Sequence, residues 1–170
     1  MCLVLDMNVF NCVFDKQNSD HHKFKPVYDW LIHGNGKLVI GGTKYYSELA
    51  KMPKYIKFFA MLERMSKLAK VSDGLVDSKE AEVRAACPDR DFDDQHMVAL
   101  LAVSGCQIFC SEDSRSYPYI KDRRWYGGRG PRIYRSTSFR RAGSLLNDGN
   151  IAAICKPCRR LNRKERQAFN

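Results

Sequence analysis

Three short runs of apolar residues, each followed at once by acidic residues or glycines, constrain the fold more than anything else in the chain. Cys2-Leu3-Val4-Leu5 stops at Asp6, Lys37-Leu38-Val39-Ile40 at Gly41-Gly42, and Gln107-Ile108-Phe109-Cys110 at Ser111-Glu112-Asp113. Runs without polar alternation are what a strand covered on both faces requires. Arg132-Ile133-Tyr134-Arg135 reads as a shorter edge strand, and a further strand-like stretch lies around Val71 to Val76. Helical periodicity fills the gaps. Tyr45, Leu49 and Met52 share one face, and Phe58, Met61, Leu62 and Met65 another, with Pro53 opening the second helix. Asp94 to Val103 is the clearest helix: Met97, Leu100 and Leu101 repeat at helical spacing and Ser104-Gly105 stops it. Short buried strands alternating with helices predict a three-layer α/β/α sandwich around a mostly parallel sheet of four to five strands.

On that scaffold the acids fall in telling places. Asp6 ends the first strand, and Asp113 lies just past the strand at 107–110. Asp94 opens the helix feeding that strand, and Glu48 lies in the helix after the second. Ligands of an open parallel sheet bind beyond the carboxyl ends of its strands, so these four carboxylates can meet in one crevice. Singly, each has an ordinary use as a strand end, helix cap, exposed helix residue or turn former. Together they repel, unless a hard divalent cation with all-oxygen coordination (Mg²⁺ or Mn²⁺) relieves them. Such a centre activates water and clamps phosphate oxygens, which implies phosphodiester hydrolysis.

Charge points to the same class of partner. The 170 residues carry a net charge of +10, but residues 115–170 hold 15 Lys and Arg against 3 Asp and Glu, and residues 1–114 hold 14 against 16. An acidic front and a strongly basic last third suit a polyanion. Arg115, Arg123, Arg124, Arg129 and Arg132, interleaved with Trp125, Tyr126 and Tyr134, are the candidate nucleic-acid contacts, because Arg holds phosphates and aromatic rings stack on unpaired bases. Following Asp113 directly, they are expected to rim the acidic crevice.

The pattern resembles the PIN-domain family over most of residues 1–135. Val4-Leu5-Asp6-Met7-Asn8 is similar to its first motif, Gly41-Gly42-Thr43 with Glu48 to its second, Asp94 through Leu100 with Ser104-Gly105 to its third, and Ser111-Glu112-Asp113 to its fourth. The resemblance implies a metal-dependent nuclease, of the kind found among toxin–antitoxin toxins and in RNA processing. Asp6, Glu48, Asp94 and Asp113 would be its metal-site acids, supported by Asn8 and Ser111. In the run Asp89, Asp91, Asp93, Asp94 the third-motif acid is ambiguous by one residue. Asp94 fits the helix phase, with Asp93 as the cap. RNA ranks ahead of DNA as substrate, and an antitoxin protein or a second copy of the chain are candidate partners.

The remaining features are weaker. Residues 136–170 do not match the family and read as a basic extension, helical or flexible, with Lys156 to Gln167 a terminal helix or tail. Tyr126 to Gly130 reads as a mobile loop, and His21-His22 as part of a surface loop with Asn18 and Asp20. Cys155-x-x-Cys158 has zinc spacing but lacks four evident ligands; Cys106 could help, while Cys110 should point into the core. The other cysteines read as small core residues. His96 is expected to pack at its helix start and donate a hydrogen bond. With no leader-like start and no long apolar window, a cytoplasmic protein without a membrane span is expected. The competing functions are a PIN-like nucleic-acid-binding module without catalysis and, last, a phosphoacceptor receiver domain, which needs an early acidic pair where this chain has Asp6 and Asn8.

Overall fold

The computed structural model describes residues 2–89, 92–147, 149 and 152–169; Asp91, named above in the acidic run, lies outside them. The apolar runs are strands: β1 (Cys2–Leu5), β2 (Lys37–Ile40), β3 (Leu68–Lys70), β4 (Ile108–Cys110) and β5 (Arg132–Tyr134). They form one five-stranded sheet in the order β3-β2-β1-β4-β5, every pairing parallel. Every residue of β1, β2 and β4 is buried, as their unbroken apolar pattern predicts. Exposure appears only at the edges, at Lys70 and the half-buried Leu68 of β3 and in the half-buried Arg132 and Ile133 of β5. A charge on an edge strand discourages pairing with another chain.

The helices between strands are α1 (Phe10–Phe14), α2 (His21–Ile32), α3 (Thr43–Ala50), α4 (Pro53–Arg64), α5 (Asp73–Ala86), α6 (Gln95–Ser104) and α7 (Tyr117–Ile120). The chain steps from β1 through β2 to β3 in one direction and returns past β1 to β4 and β5 in the other. Right-handed crossovers then put α1–α4 on one face and α5–α7 on the opposite face, giving a three-layer α/β/α fold. Among the described residues no helix is long and apolar enough to cross a membrane.

Several local expectations are corrected. The strand expected near Val71–Val76 is β3, a few residues earlier. Val76 belongs instead to α5, where it and Val83, two turns on, form the buried stripe. His21 and His22 open α2 rather than a loop, because Phe24, Val27, Tyr28 and Leu31 give that segment a helical apolar face. In α4 the most buried side chains are Tyr55, Phe59 and Leu62, with Phe58, Met61 and Met65 flanking them half-buried, so the helix is rotated from the expected stripe. Asp94, not Asp93, is the N-cap residue of α6, while Gly105 ends the helix in the left-handed conformation (φ 66°) as its sequence requires.

The segment after residue 135 is tied into the core. Cys155, Leu161 and Phe169 are buried, and Tyr28 Oη donates to the Phe169 carbonyl (3.1 Å). Its α-helices are short, α8 (Ala142–Leu145) and α9 (Arg163–Gln167), so the terminal helix expected from Lys156 begins only at Arg163.

Gly42 fixes where α3 starts. Its φ is +88°, and a Cβ there would lie 2.6 Å from Val76 Cγ1. Its N–H donates to Asp73 Oδ1 (2.9 Å), and Thr43 donates through N and Oγ1 to Asp77 (2.8 and 2.6 Å). Gly42→Ala combines a disfavoured backbone with an overpacked contact, and thermal unfolding should show a loss of about 2–4 kcal/mol. An unchanged melting temperature would mean that α5 yields to the methyl group without cost.

Candidate active site

The chain reverses its direction across the sheet between β1 and β4, and the crevice beyond their carboxyl ends is where the first and fourth motifs meet. Asp6 follows Leu5 and continues the pairing, its N–H donating to the Cys110 carbonyl (2.9 Å). Its carboxylate is gripped on one oxygen: Ser111 Oγ (2.6 Å) and Asn8 Nδ2 (2.8 Å) both donate to Oδ2, while among the described residues Oδ1 receives only the Asn8 N–H at 3.3 Å. Ser111 Oγ also accepts the Asp113 N–H (3.0 Å), and Asn8 Oδ1 accepts the Glu112 N–H (3.4 Å). Asn8 and Ser111 therefore lock the ends of two strands into one hydrogen-bonded knot around Asp6.

Asp94 joins this group from the amino end of α6. Burial, and then the nearby Asp6 carboxylate, push its pKa up to about 6, with Asp93 and Asp113 adding to the shift and His96 opposing it. Asp6 is likewise raised, first by burial and slightly by Glu48, against the hydrogen bonds of Ser111 and Asn8. Carboxylates from the ends of β1 and β4 and the start of α6 thus feel one another, and burial and like charge together disfavour ionising them all. Asp93, expected as the cap, is exposed beside Asp94.

The two outer acids have partners of their own. Glu48 Oε2 lies 3.2 Å from His96 Nε2. A carboxylate can only accept, so that nitrogen carries the proton, and the bond expected of His96 goes to a site acid. Burial disfavours the Glu48 charge, but His96 outweighs it, with Lys44 and Lys51, and holds the pKa below the ordinary value. His96 Nδ1 is buried with no hydrogen-bond partner among the described residues. Asp113 is clasped by Arg115, whose Nε and Nη2 reach its two oxygens at 3.0 and 2.7 Å, and that pair keeps the carboxyl ionised.

As they stand, no three His, Cys, Asp or Glu side chains among the described residues are placed to hold a metal ion together. The donor set nevertheless suits a hard cation: it is all carboxylate oxygen, and two of its members are strained by burial and like charge. In this arrangement Asp113 is paired with Arg115 and Glu48 with His96.

The basic residues named from sequence do not all rim this crevice. Arg115 does, bound to Asp113. Arg124 is tied to Asp122 (2.6 Å) and to Cys87 Sγ (2.9 Å), and Arg123 is exposed beside it in a short 3-10 turn. Arg132 stands opposite Ile108 at the amino ends of the strands, and Arg129 lines a small hollow there with Gly105, Cys106 and Gln107. The reason is topological. After Asp113 the chain must return to the opposite edge of the sheet before it can start a parallel β5, and 121–131 makes that journey.

The cysteines likewise assemble differently from their sequence spacing. Cys106 and Cys155 are buried beside Cys2 at the start of β1, Cys158 Sγ donates to the Cys155 carbonyl (3.1 Å), and Cys110 is buried in β4. No protein-family model matches the chain, and no curated protein or solved structure matches it.

Proposed function

We propose that this chain is a PIN-like, metal-dependent endonuclease that hydrolyses nucleic-acid phosphodiesters, RNA ahead of DNA. The observation that carries the reading is the shared electrostatic neighbourhood of Asp6, Asp94 and Asp113 at the point where the sheet reverses direction. Asp6 and Asp94 would hold Mg²⁺ or Mn²⁺, with Asp113 and Glu48 completing the acidic wall. The bound ion would lower the pKa of a water and stabilise the charge developing on phosphate oxygens. The protein's own contribution is positional. Asn8 and Ser111 occupy Asp6 Oδ2 and leave Oδ1 the less engaged oxygen. His96 fixes the rotamer of Glu48. Arg115 neutralises Asp113 in the resting protein and can exchange that carboxylate for a substrate phosphate, since both suit its two-pronged geometry. No side chain need form a covalent bond to the substrate.

The Arg115–Asp113 pair also favours a second reading, a PIN-like module that binds nucleic acid without cutting it, because it fills one acid with a cation already. The test is cleavage of single-stranded and structured RNA and DNA with Mg²⁺, with Mn²⁺ and with EDTA. The nuclease requires cutting with either metal and none in EDTA. Cutting that survives EDTA sinks the metal mechanism, and binding without cutting under every condition leaves the module.

A further inference from the structure

The chain has a second concave surface that the acidic crevice does not use. Between α7, the end of β5 and the 136–145 segment lies a cavity of about 610 Å³, within the range of ordinary ligand sites. Lys121, Arg135, Arg140 and Arg141 line it together with Tyr117 and hydroxyl-bearing residues such as Thr137, and no acidic side chain does. All four cations are exposed, and none forms a salt bridge with a carboxylate among the described residues. Arg115 and Arg124, by contrast, are both spent on Asp residues.

The groove abuts the acidic knot. Tyr117, in its wall, donates to the Ser111 carbonyl (2.8 Å), and the Ser111 hydroxyl donates to Asp6. Arg135 directly follows Tyr134, whose carbonyl accepts the Ser111 N–H (3.1 Å). Ser111 thus links the groove wall to Asp6 through two hydrogen bonds. An exposed aromatic ring, Phe139, stands beside Arg140 (5.7 Å from its guanidinium carbon) and is available to an unpaired base.

From this geometry we infer that the groove is the tracking site for the phosphodiester backbone of a single-stranded nucleic acid, which it delivers to the Asp6–Asp94 crevice. Arg135, Arg140 and Arg141 each neutralise a phosphate, the hydroxyls add hydrogen bonds, and Phe139 stacks on a base. The inference rests on the nuclease reading for the direction of delivery but not for binding itself.

The experiment is fluorescence anisotropy in EDTA, so that no cutting can occur, using an end-labelled single-stranded oligonucleotide of mixed sequence and the same sequence as a duplex. The groove variant carries Arg135→Gln, Arg140→Gln and Arg141→Gln. The control carries Arg160→Gln, Arg163→Gln and Lys164→Gln, an equal charge change at exposed positions elsewhere. The groove variant should lose about tenfold or more in affinity, and its slope of log K against log salt should fall by about 2, at roughly 0.7 per lost phosphate contact on a single strand. The control should stay within about twofold of wild type. Equal losses in the two variants would reduce the effect to net charge and overturn the inference, as would equal affinity for the duplex or no binding by wild type. Should the triple variant fail to melt cooperatively, Arg140→Gln with Arg141→Gln repeats the test against Arg163→Gln with Lys164→Gln, and the slope should then fall by about 1.4. Groove-dependent binding by a protein that never cuts would defeat only the catalytic reading.

Discussion

Asp94→Asn should abolish cutting while making the protein more stable at neutral pH. For catalysis, the substitution removes one of the two carboxylates nearest to becoming cation ligands, and the rate should fall at least about a thousandfold, some 4 kcal/mol of barrier at 1.36 kcal/mol per decade. For stability, the sign follows from the direction of the shift. The carboxyl titrates near 6 in the fold against 3.8 for an unperturbed Asp, so the native state holds its proton more tightly than the unfolded chain. Stability from this group is therefore full below pH 3.8, declines as pH rises to about 6, and stays lost above. Asparagine carries no charge into the crevice and escapes the loss. Thermal melts should show the variant gaining about 3–6 °C at pH 7, on a scale of about 2–4 °C per kcal/mol for a chain of this size, and responding less than wild type between pH 4 and 6. Mg²⁺ or Mn²⁺ should raise the wild-type melting temperature and leave the variant unmoved, because a ligand stabilises only the state that binds it. Full activity in the variant would remove Asp94 from the site, and a lower melting temperature at pH 7 would mean that its carboxylate is a structural cap and not a strained acid.

The acids could be located from sequence because their positions are set by topology. An acid that ends a doubly buried strand can only emerge at the carboxyl edge of a parallel sheet, and Asp6 and Asp113 do so. The same logic, carried one step further, places Arg129 and Arg132 at the other edge. Adjacency in sequence to Asp113 hides that, because the crossover carries the chain back to the other edge before the parallel β5 can begin. The groove cations were missed for a related reason. Arg135, Arg140 and Arg141 come together only where the 136–145 segment folds back beside β5, and nothing in their spacing announces it. β3 and α5 were blurred because an edge strand and a surface helix bury few residues, so their periodic signal is thin. Asn8 and Ser111 stand out in the sequence only through the family resemblance, and in the fold both donate to a single oxygen of Asp6.

Lys67 is the largest effect that the sequence conceals. Between Ser66 and Leu68 a lysine reads as a solvated turn residue, yet this one is fully buried. Its ammonium donates to the carbonyls of Gly34 (2.8 Å), Gly36 (3.0 Å) and Arg159 (3.0 Å), which lie far from it in sequence. It thereby fastens the last segment to the turn that precedes β2. Lys67→Ala would leave three carbonyls without their donor and a side-chain-sized void, and should cost about 3–5 kcal/mol. Lys67→Met keeps the volume and removes only the donors. It should lose less stability than the alanine variant, yet trypsin should cut it as readily as the alanine variant within the basic stretch from Lys156 to Arg166. The pH dependence separates the charge from the packing. Burial, and then Arg159 and Lys37 nearby, lower the Lys67 pKa from 10.5 to about 8, so the unfolded chain holds the proton more tightly. Wild-type stability should therefore rise between pH 8 and 10.5 as the buried ammonium sheds its charge, and that rise should vanish in both variants. Wild-type resistance to trypsin in Lys67→Met would show that apolar contacts such as Leu161 and Phe169 hold the C-terminal segment without the lysine.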